Sequence, residues 1–69
     1  MNRLRSQFAK RLKDVRTEKQ ITQEELAKMT GLSASFISSL ERGIDAPSFA
    51  TLENIAEALG VSVKDLFDF

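Results

Sequence analysis

Apolar residues recur along this chain at the spacing of helix faces. Phe8, Leu12 and Val15, with Ala9 alongside, predict an amphipathic helix over residues 3–18 whose outward side carries Arg5, Lys10, Arg11 and Lys13. Leu26 and Ala27 give a second, shorter helix, and Ile37 and Leu40 a third, with Phe36 partly covered. Leu52, Ile55, Ala56 and Leu59 stand at i, i+3, i+4 and i+7 and make the apolar face of a fourth. Leu66, Phe67 and Phe69 belong to a short final helix.

The polar residues between these faces mark where each helix begins and ends. Thr22 followed by Glu25 is a capping box: the hydroxyl accepts the Glu25 N–H while the carboxylate accepts the Thr22 N–H. Helix 2 therefore begins near Gln23 and stops at Gly31. Ser33 caps the third helix without a reciprocal acid, because Phe36 stands where the acid would be, and Gly43 closes it. Pro47 blocks continuation through the IDAPS turn, Ser48 caps the fourth helix, and Gly60 ends it. Ser62 with Asp65 forms a second capping box for the final helix. The expectation is an all-α, compact five-helix bundle with Phe8, Leu12, Leu26, Ala27, Ile37, Leu40, Leu52, Ile55 and Leu59 in one core.

Length and composition narrow the function. Sixty-nine residues make a single domain, 1–69, with a small core. The chain has no Cys or His, which removes disulfides and the common zinc sites, so no metal or cofactor is expected. No apolar run is long enough to span a bilayer, and the N-terminus lacks the apolar stretch of a secretory signal. A soluble, cytoplasmic chain that avoids membranes is expected. The net charge of zero hides a split: residues 1–42 carry nine Lys and Arg against five acids, whereas residues 43–69 carry Lys64 against five acids. Such asymmetry permits one basic and one acidic face. Without His or Cys no nucleophile–base set can be assembled, and Glu24 and Glu25 have ordinary capping and surface explanations, so the chain reads as a non-enzyme.

The run LAKMTGLSASFISSL holds two helices separated by a few residues around Gly31, the requirement of a helix-turn-helix. A structural bundle corner would use the same turn. The longer run ITQEELAKMTGLSASFISSLERG, followed by PSFATLENIAEALGVSVKDLF, resembles the phage-repressor/Cro-type (XRE-like) helix-turn-helix domains, including restriction–modification controller proteins. That resemblance implies a lambda-repressor-like fold and a sequence-specific transcriptional regulator that binds double-stranded DNA as a homodimer on a palindromic operator, with helix 3 in the major groove. It places Ala34, Ser35 and Ser39 at base-facing positions, with Ser38 as an addition, and Gln23 against a phosphate. It also pairs Arg16 with Glu41, a pairing suited to the bidentate fork of an Arg.

Helix N-termini supply further anion sites near Gln23, near Ala34 and Ser35, and near Phe49 and Ala50, with the caps Thr22 and Ser33 beside the first two. Arg11, Lys13, Arg16 and Arg42 are the candidate phosphate-binding cations. Short side chains at positions 34, 35 and 39 depart from the Gln, Arg or Lys often found in relatives. Ser contacts a base less discriminatingly than Arg or Gln, and Ala offers only a methyl group to thymine. Either helix 3 seats deeper and specificity comes from methyl groups, water and DNA shape, or recognition relies on dimer spacing and Arg contacts. The rival to an operator-binding regulator is an antitoxin or protein-interaction module with weak or no specific DNA binding, which would have a protein partner. The dimer surface is expected at the C-terminal end, among Val61, Val63, Leu66, Phe67 and Phe69.

Overall fold

The computed structural model describes residues 3–69. Four α-helices follow one another: α1 (Arg3–Glu18), α2 (Gln23–Thr30), α3 (Ala34–Glu41) and α4 (Phe49–Leu59). A short 3-10 helix, Lys64–Phe67, completes the fold. All nine expected core residues are buried, joined by Ala9, Val15, Ala56 and Leu66. α1 packs on α3 and on the 3-10 helix, while α2 packs on α3 and α4. α1 thus joins α3 to the C-terminal turn.

The caps form as the residue spacing predicts. Thr22 Oγ1 accepts the Glu25 N–H at 3.0 Å, and Glu25 Oε1 accepts the Thr22 N–H at 2.8 Å. Ser33 Oγ accepts from the Phe36 amide at 3.0 Å, and Ser48 Oγ from the Thr51 amide at 3.1 Å. The second capping box also closes, with Ser62 and Asp65 exchanging hydrogen bonds of 3.0 and 3.1 Å. The helix that it starts is shorter and tighter than an ordinary α-helix. The bonds from Asp65 N–H to Ser62 O, Leu66 N–H to Val63 O and Asp68 N–H to Asp65 O all span three residues, so the segment stays 3-10.

The C-terminal residues sit differently from the expected exposed set. Leu66 is fully buried in the core. Phe67 stacks on Phe8 with ring centroids 5.3 Å apart, and Val61 and Val63 are half-buried against the core. Only Phe69 of that group stands largely in solvent, at 54 % exposure. The reason is geometric: the 3-10 turn packed on α1 turns its two apolar side chains, Leu66 and Phe67, toward the core and leaves Lys64 and Asp65 outside. The apolar surface left outside lies elsewhere, chiefly at Leu4, Met29, Ile44 and Phe49.

Two outcomes are expected for stability. Leu40→Ala or Ile37→Ala, each removing a fully buried side chain, should cost about 2–5 kcal/mol in urea unfolding. The second concerns acid. The Thr22 and Ser62 backbone N–H groups, followed by their hydroxyls, hold the carboxyls of Glu25 and Asp65 below their usual ranges. A carboxyl whose folded pKa lies below its unfolded value contributes stability above the unfolded pKa and loses it as pH falls through the folded one. Wild-type stability should therefore decline below about pH 4, and Glu25→Gln should flatten part of that decline in a pH series of thermal melts.

Candidate nucleic-acid interface

The elbow between α2 and α3 is built from local hydrogen bonds. Gly31 adopts φ +75°, a left-handed conformation that a side chain would strain, and its N–H closes α2 on Ala27 O. Thr30 Oγ1 donates to Leu26 O at 2.8 Å and accepts weakly from the Leu32 amide at 3.3 Å. Asn54 Nδ2 of α4 donates to Thr30 O at 2.7 Å, so α4 clamps the same elbow from the side. Ala27 is small enough for close helix approach, and Ile37 and Leu40 seal the contact with no exposure.

The far ends of these helices are tied by charge. Arg16 Nε and Nη2 donate to the two oxygens of Glu41 at 2.6 and 2.8 Å, and Nη1 donates to Ile21 O at 2.6 Å. The two side chains are 8 % and 2 % exposed. The Glu41 hydrogen bond holds the Arg16 guanidinium above its already high ordinary pKa, against the opposing effect of burial. Gln23 Nε2 adds a third donor to the carboxylate, at 3.0 Å from Oε1. α1, the start of α2 and the end of α3 therefore meet on one carboxylate. Arg16, expected among the phosphate-binding cations, is buried and committed here, so its role is structural. Gln23 has its amide nitrogen turned to Glu41, which leaves Oε1 and the backbone amide to the outside.

The outward side of α3 is a single stripe. Ser35, Ser38, Ser39 and Arg42 stand at i, i+3, i+4 and i+7, opposite the buried Ile37 and Leu40. Ser35 and Arg42 are exposed, and Ser38 and Ser39 half-buried. Ala34 is half-buried and packed against the core, which makes it the least open of the expected base-facing set. Thr22, Ser33, Phe49 and Ala50, at the helix starts, are all exposed, as is Lys13 on α1. Arg11 is drawn away from the phosphate-binding set: its Nε donates to Asp65 O at 2.8 Å, and Nη2 lies 4.0 Å from Asp68. Among the described residues no cluster of His, Cys, Asp or Glu side chains could hold a metal ion.

Residue pattern alone misses the Gln23–Glu41 link, the Asn54 clamp and the bond from Arg5 Nη1 to Ile44 O at 3.2 Å. The one visible signal is Asn54, an amide set between Leu52 and Ile55 in the apolar stretch of α4.

The sequence profile of the helix-turn-helix family matches residues 12–66. The chain belongs to the helix-turn-helix family. Within it, the control protein C.BamHI of Bacillus amyloliquefaciens is 39 % identical over 69 residues, covering 99 % of this chain and 85 % of that one. The control protein C.MunI of a Mycoplasma species is 35 % identical over 68 residues, covering 97 % and 92 %. The crystal structure of the restriction-modification controller protein C.AhdI from Aeromonas hydrophila superimposes with a TM-score of 0.88 at 35 % identity, covering 90 % of this chain and 94 % of that one. This helix-turn-helix protein is thus of the XRE/Cro type of transcriptional regulators, with the lambda-repressor-like fold. No helix among the described residues is long and apolar enough to cross a membrane.

Removing the clasp should be costly to this helix-turn-helix fold. Arg16→Ala leaves the Glu41 carboxylate buried without its fork and is expected to destabilise by about 3–5 kcal/mol. Gln23→Ala removes one hydrogen bond to a charged group, an expected loss of about 1.5–3 kcal/mol. Urea titrations of both variants provide the check; an Arg16→Ala loss under about 1 kcal/mol would rank the pair with ordinary surface bridges.

Proposed function

We propose that the protein is a sequence-specific regulator that binds a two-fold-symmetric operator as a homodimer, in the manner of a restriction–modification controller. The carrying observation is the α3 stripe: three hydroxyls and a terminal Arg line one face of a helix whose other face is locked in the core. Ser35, Ser38 and Ser39 face the base edges, with the Ala34 methyl at the rim. Arg42 and Lys13, together with the backbone amides at the starts of α2, α3 and α4, meet phosphates. Hydroxyls discriminate bases weakly, so one half-site gives a weak reading. Two copies across a two-fold axis combine two such readings and require half-sites about 34–36 Å apart. The names of C.BamHI and C.AhdI as control proteins support the controller reading.

Fluorescence anisotropy on operator and random duplexes over a salt series tests this. Arg42→Ala should weaken both complexes alike and lower the salt slope by about one. Ser35→Ala should change the preference among sequences more than the overall affinity. Arg11→Ala, with its guanidinium held at the C-terminal end, should leave the slope unchanged. Equal loss from Arg11→Ala and Arg42→Ala would show that the basic face has been assigned to the wrong side of α1.

A further inference from the structure

Asn54 stands half-buried in α4, close in sequence to the core residues Leu52 and Ile55. Its Nδ2 donates to Thr30 O at 2.7 Å. That carbonyl lies in the last turn of α2, where the helix's own N–H groups have run out, so its donor comes from outside the helix. Among the described residues this is the only hydrogen bond between α4 and another helix. Leu52, Ile55, Ala56 and Leu59 otherwise hold α4 by apolar contact. Apolar contact has no preferred direction and tolerates small slides of one helix along another, whereas a short hydrogen bond does not. Asn54 therefore fixes the register of α4 against the α2–α3 elbow.

We propose that Asn54 is a positioning residue for sequence discrimination, holding the phosphate-facing start of α4 in fixed relation to the serine face of α3. The inference rests on the operator reading above and adds to it a residue that touches no DNA. On one side the tie runs one turn back along α4 to Thr51, whose N–H donates to the cap Ser48 Oγ at 3.1 Å. On the other side Thr30 leads through Gly31 and Leu32 to Ser33, the cap of α3. Phosphate contacts set where a protein sits on a duplex, and base contacts do the reading. A seat and a reader joined in this way move together. The short side chains of Ser35, Ser38 and Ser39 make that coupling matter, because a hydroxyl has little reach with which to follow a displaced helix, unlike a long Arg or Gln. Without the tie, α4 keeps its phosphates while α3 loses its alignment with the base edges. Affinity for any duplex then survives, and preference among duplexes does not.

The test uses a duplex selected from a randomised pool by the wild-type chain, and a scrambled duplex of the same length and composition. Fluorescence anisotropy gives the ratio of the two affinities for the wild type, Asn54→Ala, Asn54→Asp and Ile55→Val, at a temperature where circular dichroism shows each folded. Asn54→Ala removes the amide, and Asn54→Asp keeps its shape without the donor. The charge that Asp adds weakens both complexes alike and cancels in the ratio. Ile55→Val trims the neighbouring core residue and leaves the tie intact. Both Asn54 variants should lower the ratio about tenfold, the scale of one well-made base contact. Asn54→Ala should keep the wild-type salt slope, and Ile55→Val should keep the ratio within about a factor of two. An Asn54 variant with the wild-type ratio, or an equal loss from Ile55→Val, overturns the positioning role and leaves the operator reading standing. Should Asn54→Ala fail to fold, Asn54→Asp decides alone. A wild type that enriches no sequence from the pool overturns the operator reading and the positioning role together.

Discussion

A buried carboxylate governs how α3 is held. Glu41 lies at the last turn of α3, and three donors converge on it from Arg16 and Gln23. Once taken out of water, such a charge must be paired, and the pairing has to come from elements that are not neighbours in the chain. α1 supplies the fork, the start of α2 supplies an amide, and the Ile21 carbonyl takes the remaining face of the guanidinium. The clasp sets where α3 ends relative to α1, and the elbow at Gly31 sets where it begins. Between those two fixed points Ile37 and Leu40 leave little freedom of rotation, so the direction of the polar stripe is set by contacts made on the other side of the helix.

The same division of labour accounts for the placement of the cations. Of the four candidates on the basic half of the chain, Arg16 is absorbed by the clasp and Arg11 by the C-terminal turn. Lys13 and Arg42 stay exposed. A net count of charge therefore overstates the basic surface available to a polyanion, and two arginines contribute mainly to the cohesion of the bundle. The acidic residues after position 42 are distributed in the same spirit, with Asp65 closing a cap and Glu53 left free on α4.

Local features were legible in the sequence because their physics is local. The bounds of α2 and α4 and the start of α3 are set by a hydroxyl, an acid three residues on, or a glycine, all within one turn of the backbone they serve. The Arg16–Glu41 pair was legible through a family resemblance joined to the geometry of the Arg fork. Arg11 was not, because its acceptor is a main-chain carbonyl 54 residues away, and any carbonyl can play that part. The inward turn of Leu66 was equally hidden: a four-residue 3-10 helix is too short for a periodicity to say which side is buried. Phe49 reads in sequence as a helix-start residue, and the apolar recess beside it is formed only in the fold, by residues of α1, the α3–α4 loop, α4 and the C-terminal turn.

The seam between what holds α3 and what α3 displays has an evolutionary consequence. Ser35 is exposed, and its side chain takes part in none of the hydrogen bonds that cap or clasp the helix. Changes at such a site cost the fold little, so the displayed alphabet can be rewritten while the scaffold stays under selection for packing. Under the function proposed above, a lineage of such proteins drifts from one target sequence to another by single substitutions on this face, without passing through an unfolded ancestor.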